Sequence, residues 1–125
     1  MSTRRSLQVL VLTLVALGVF TSGLAWLLDT DRTPPGAPRE ARLYNGLCAT
    51  CHGVDGRGSW RAALFLIRPG DFTDRARMSQ ESDQYLFDVI KNGGAPFGKP
   101  GMPSFGHLSD ADIQALVRYV RRFSQ

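Results

Sequence analysis

The run Cys48-Ala49-Thr50-Cys51-His52, followed by Gly53, constrains this chain more than any other stretch. Two thiols three positions apart on one helical turn reach the two vinyl groups of a single porphyrin and form thioethers with them. The next residue then brings an imidazole to the iron, which is the attachment pattern of a c-type haem. On this reading Cys48 and Cys51 are the covalent anchors and His52 is the proximal ligand. Two other readings stand beside it. A redox disulfide between the cysteines needs a βαβ setting that the flanking sequence lacks. A zinc site needs both cysteines with His52 and His107, the only histidines, and adjacent Cys51 and His52 chelate one metal poorly.

Size makes the cofactor structural as well as chemical. The chain has 125 residues, and its 15 basic and 11 acidic side chains give a formal charge of +4. If residues 1–40 serve as targeting segment, anchor and linker, only residues 41–125 remain for a folded domain. A domain that small has a marginal core and needs a staple. A covalent porphyrin supplies one, so the domain without it is expected to be largely unfolded. The sequence pI near 9.6 points to an acidic partner or an anionic surface. Nucleic acid is not expected, because the basic residues are scattered and Arg118, Arg121 and Arg122 read as the solvated face of a helix.

Leu7 to Leu28 carries no charge, with Arg4 and Arg5 before it and Asp29 and Asp31 after it. As a helix it is about 33 Å long, enough to cross the hydrocarbon core of a membrane. The two arginines place residues 1–6 in the cytoplasm and the rest outside it. In a bacterium this puts the haem domain in the periplasm, where haem c is attached. The competing reading is a cleaved signal peptide, with Gly23-Leu24-Ala25 as the cleavage site. Against it, the apolar run continues through Trp26, Leu27 and Leu28, and a Trp at the outer end suits an interfacial anchor. Residues 29–40, with Pro34, Pro35, Gly36 and Pro38, read as an extended linker reaching at most about 35 Å.

From about Arg39 the pattern is helical, with Leu43, Tyr44 and Leu47 on one face running into Cys48. A loop is expected from Gly53 to about Ser79, with Leu64, Phe65, Leu66 and Ile67 packed on the haem and the Pro69 carbonyl set against the His52 ring. A second helix is expected from about Gln80 to Lys91, capped by Ser79 or Ser82 and ended by Gly93. Asn92 to His107 is too rich in Gly and Pro for regular structure. Met102 sits in its middle, an odd place for a flexible apolar side chain unless the sulfur has something to bind. The last helix is capped by Ser109, with Leu108 and Ile113 as a hydrophobic staple. Its buried stripe is Ile113, Leu116, Val117 and Val120. No strand pattern appears, so the domain is all-α.

Over residues 41–125 the chain resembles a class I c-type cytochrome. The resemblance is carried by Tyr44 four before Cys48, the Cys48–His52 motif with Gly53, Gly101-Met102-Pro103-Ser104-Phe105, and Leu108-Ser109-Asp110-Ala111-Asp112-Ile113 leading into Leu116–Tyr119. It implies a cytochrome c fold, about three helices around one covalent haem c, with the first and last helices crossing beside it and Tyr44 meeting Tyr119 or Leu116 there. It also implies that Met102 completes the iron coordination opposite His52, with His107 and Met78 as rival ligands. The small residue that the family often carries eight before the first cysteine is replaced by Glu40, leaving Ala41 to serve.

An iron closed on both faces passes an electron but does not readily bind a substrate, and no catalytic triad, carboxylate pair or phosphate loop accompanies it. The expected role is one-electron transfer by a membrane-tethered monohaem carrier, with redox proteins as partners, no small-molecule substrate and no catalytic residue of its own. It serves either as haem subunit of a respiratory or dehydrogenase complex or as a tethered shuttle. The rival from another class is a haem enzyme or a gas or redox sensor with a labile distal ligand.

Overall fold

The computed structural model describes residues 3–28 and 33–125, so residues 1–2 and 29–32 of the expected N-terminal and linker segments lie outside the described residues. The chain divides into two units, Met1–Thr30 and Asp31–Gln125. The described residues of the first form a single helix, α1, Thr3–Leu28, with mean hydropathy 2.1 and no buried residue. By length and composition it can cross a membrane. Two of its threonine hydroxyls, those of Thr13 and Thr21, donate back to the carbonyls of Val9 and Leu17 at 2.8 and 2.9 Å, so neither needs a partner outside the helix.

In the second unit every described regular element is helical. α2, Arg39–Leu43, runs into a π-helical turn, Tyr44–Cys48, and then into α3, Ala49–His52. The wider turn adds a residue just before the paired cysteines and so shifts the direction in which the following side chains leave the helix by about 100°. Gly53 ends α3 at φ 76°, where a Cβ would sit 2.8 Å from Asp55 Oδ1, so only glycine fits without displacing a neighbour.

The stretch expected to be one long loop contains two short helices. α4, Trp60–Leu64, starts at Ser59, whose hydroxyl accepts from the Arg61 amide. α5, Arg75–Gln80, starts at Asp74, whose carboxylate accepts from the Arg77 amide. Both begin at ordinary capping residues but are too short for hydrophobic periodicity to reveal them. α6, Asp83–Asn92, begins three residues later than expected, and Ser82 is its cap, accepting from the Tyr85 amide at 3.1 Å. Ser79 instead donates to the Ala76 carbonyl inside α5. α7, Asp110–Arg121, is capped by Ser109 as expected.

The core lies where α2, the π-turn, α6 and α7 meet. Tyr44, Met78, Ile113 and Leu116 are its most deeply buried large side chains. The Tyr44 ring packs on Tyr119 and Phe123, with centroids 5.1 and 5.2 Å away. Ala41 is buried at the junction of α2 with α7, while Glu40 turns outward to pair with Arg122 at 3.3 Å. The small residue that this crossing needs is therefore supplied one position later than in the family pattern.

Candidate functional site: a haem cavity

A cavity of about 780 Å³ opens beside this core. That volume lies well up the range of about 300–1,000 Å³ common for cofactor sites. Cys48, Cys51 and His52 line one part of it, and Met102 lines another. Most of the remaining wall is apolar, including Leu86, Val89, Ile90, Leu116 and Val120 from α6 and α7. The apolar stripes of these helices thus serve the core and the cavity together.

Two loops fix the ligand-type side chains. After α3 the chain folds back, with the Gly58 amide on the His52 carbonyl and the Ser59 amide on the Cys51 carbonyl, both at 2.8 Å. Tyr44 Oη donates to the Gly53 carbonyl at 2.8 Å and ties this return to the core. His52 Nδ1 faces the Gly70 carbonyl at 3.4 Å, and its ring stacks on Phe72 with centroids 4.4 Å apart. The carbonyl that orients the imidazole is therefore that of Gly70, one residue beyond Pro69. Phe72 was not singled out from the sequence, since nothing local marks an aromatic in that loop as a stacking partner.

The Met102 loop is bound to the end of α6. The Gly94 amide donates to the Met102 carbonyl at 2.9 Å, the Phe105 amide to the Ile90 carbonyl at 3.0 Å, and Ser104 Oγ to the Lys91 carbonyl at 2.6 Å. Gly93, at φ 79°, makes this approach possible: a Cβ there would lie 2.9 Å from the Ser104 amide nitrogen. The Gly-Pro richness that forbids regular structure is thus what lets the loop close onto α6 and carry Met102 to the cavity.

Of the rival ligands, His107 is exposed and Met78 is buried in the core, and neither lines the cavity. Among the described residues no three His, Cys, Asp or Glu side chains converge to hold a metal ion. Cys48 and Cys51 are free thiols. Leu66 and Ile67 line the cavity as expected, but Leu64 and Phe65 face away from it.

Burial pushes the Cys48 thiol up to about 12, with the neighbouring Cys51 adding to the effect. Burial also holds the His52 imidazole below its ordinary value, opposed by the Gly70 carbonyl and aided by the charges of Arg77 and Lys99. A neutral imidazole with Nδ1 turned to a carbonyl leaves Nε2 free to bind a metal. A smaller part of the wall is polar. Arg77 donates to Glu81 at 3.2 Å, and Lys99 donates to the Tyr85 hydroxyl at 2.7 Å. A large, mostly apolar chamber holding two thiols, an oriented imidazole and a thioether fits a covalently attached haem.

Comparison with known proteins agrees. Residues 36–120 match the family described as cytochrome c oxidase, cbb3-type, subunit III. A curated relative, lupanine 17-hydroxylase [cytochrome c] of a Pseudomonas species, is 37% identical over 73 residues. That alignment covers 58% of this chain and only 9% of the relative's length. The solved structure of the KustC0563 c-type cytochrome is 32% identical with a TM-score of 0.58, covering 69% of this chain and 98% of its own. The match, the fold and the cavity agree: this chain belongs to the cbb3-type subunit III family of cytochromes c, and carries covalent haem c as a monohaem electron-transfer protein.

Proposed function

We propose that the chain is a membrane-tethered carrier whose haem is held by Cys48, Cys51, His52 and Met102. The observation that carries this is the presence of all four side chains on the wall of one largely apolar cavity. When bound, haem c supplies a one-electron Fe(II)/Fe(III) couple. The two thiols fix the cofactor covalently. His52, aimed by the Gly70 carbonyl and Phe72, offers Nε2 as one ligand. Met102, carried on a loop pinned to α6, offers a thioether as the other. The surrounding leucine, isoleucine and valine side chains exclude water, which favours the less charged reduced state.

The proposed layout places residues 1–6 in the cytoplasm, 7–28 across the bacterial cytoplasmic membrane, 29–40 as linker and 41–125 in the periplasm as the haem domain. The partners are redox proteins of a membrane electron-transfer chain. The family description names an oxidase subunit, and the Pseudomonas relative, a far longer protein, is named as a hydroxylase with a cytochrome c. Both favour a haem subunit of a larger oxidoreductase over a free shuttle, with the chain itself acting as electron carrier and not as enzyme. Purification from native membranes in mild detergent should bring down stoichiometric partners; a monodisperse single chain would return the reading to a tethered shuttle.

The visible spectrum of the oxidised protein tests the ligand set. Intact His52 and Met102 ligation gives a low-spin iron with the weak far-red band of an iron–thioether bond and no carbon monoxide adduct on reduction. Met102→Ala is expected to keep the haem covalently bound, abolish that band, lower the reduction potential and admit carbon monoxide rapidly. A wild-type iron that is already high-spin and binds carbon monoxide would instead make the chain a haem enzyme or gas sensor.

A further inference from the structure

We propose that the segment from Arg57 to Arg68 is a membrane-contact loop that lays the haem domain on an anionic bilayer surface. Three features of that segment coincide. First, Trp60, Leu64 and Phe65, at the two ends of α4, are 52%, 68% and 75% exposed, and none of them lines the haem cavity. Trp60 and Leu64 are four residues apart on one helical face, and Phe65 follows directly. Their exposure is therefore not relieved by the cofactor, unlike that of Leu66 and Ile67 at the cavity wall.

Second, the cations of this segment form no ion pair or hydrogen bond through their side chains among the described residues. Most others in the same unit are engaged: Arg39 by Asp112, Arg42 by the Ala37 carbonyl, Arg75 by the Ser124 carbonyl, Arg77 by Glu81. Lys91, Lys99, Arg121 and Arg122 are likewise bonded. The side chains of Arg57, Arg61 and Arg68 make no ion pair and no hydrogen bond among the described residues, and Arg61 Nε is buried without an acceptor; Arg57 acts on the Asp71 carboxylate only through space, and Arg68 lies on the wall of the haem cavity. Arg61 rests against the Trp60 ring at 5.1 Å. No acidic residue lies between Asp55 and Asp71.

Third, the same chain carries α1, so a bilayer is always within the reach of a short linker, at the high effective concentration that a tether imposes. Large apolar side chains projecting among unpaired arginines, with a Trp at their edge, are what an interface of anionic headgroups accepts. An acidic protein could meet the arginines, but only lipid is held beside them by the chain itself. The inference rests on the anchor reading of α1 and adds to it an orientation: residues 66–70 of the cavity wall are brought toward the membrane.

Attachment of haem consumes Cys48 and Cys51, so Phe65→Cys in the full-length holoprotein carries the only free thiol, as does Arg118→Cys on the outer side of α7. Each is placed in lipid discs of phosphatidylcholine, with or without phosphatidylglycerol, and its reaction with a charged, lipid-insoluble maleimide is timed. At position 65 the rate should fall about tenfold when phosphatidylglycerol is present, the equivalent of about 1.4 kcal/mol of protection. At position 118 it should not change, and R57Q/R61Q, which leaves the cavity-wall Arg68 in place, should restore the fast rate at 65. Equal rates at 65 in both lipids overturn the proposal while leaving the anchor intact. So does protection at 65 only in native membranes, which assigns the loop to a protein. A chain that fails to co-elute with the discs overturns the anchor and this contact together.

Discussion

Tyr44 has its ring in the core and its hydroxyl on the turn that leaves His52. Burial raises its pKa, so the phenol remains a neutral donor to the Gly53 carbonyl throughout the working pH range. Tyr44→Phe keeps the packing and leaves that carbonyl only the Gly56 amide at 3.2 Å, at a cost of about 0.5–1.5 kcal/mol, which denaturant unfolding of the holoprotein should show. Asp112 is the residue to watch in acid. Its bidentate contact with Arg39, at 2.6 and 2.9 Å, holds its carboxyl down to about 2. A folded pKa below the unfolded one means that the contribution is complete above about 4 and is lost as pH falls through about 2. Wild type should therefore lose stability more steeply than Asp112→Asn between those values, as followed by thermal unfolding at stepped pH. At this scale the sequence is informative where chemistry is written in spacing, as at Cys48, Cys51 and His52. It is silent about Gly70 and Phe72, because which carbonyl and which ring face an imidazole depends on how a loop folds back over it.

Among the elements, α7 was the most legible, since Ser109 caps it and Ile113, Leu116, Val117 and Val120 recur at helical spacing. α4 and α5 were not, because a helix of five or six residues completes too few turns to display a face. The π-turn at Tyr44–Cys48 leaves no mark in composition at all; it is imposed by tertiary packing on a stretch that reads as ordinary helix. The dual service of α6 and α7 to core and cavity has a measurable outcome. Leu116→Ala removes a side chain that is 1% exposed and also lines the haem cavity. It should cost about 2–5 kcal/mol in denaturant unfolding. A loss at the upper end is expected because the packed ring system cannot collapse into the gap.

For the molecule as a whole, the cavity dominates the balance of forces. At about 24 cal/mol per Å³ of dry void, even a third of it left empty costs about 6 kcal/mol, comparable with the entire stability of a small domain. Cys48→Ala/Cys51→Ala, which cannot retain haem covalently, is therefore expected to lose most of its far-ultraviolet helical signal once stripped of cofactor, while the holoprotein unfolds cooperatively. Sequence length alone leads to the same expectation; the size of the chamber gives it a magnitude. The stitching of Arg39 to Asp112 and of Glu40 to Arg122 joins positions 73 and 82 residues apart. Neither link can form until residues 112 and 122 respectively have been made, so the first and last helices of the domain are joined only after the Cys48–His52 segment exists. Closure by partners this distant makes the ring of contacts around the porphyrin one of the last parts of the domain to form.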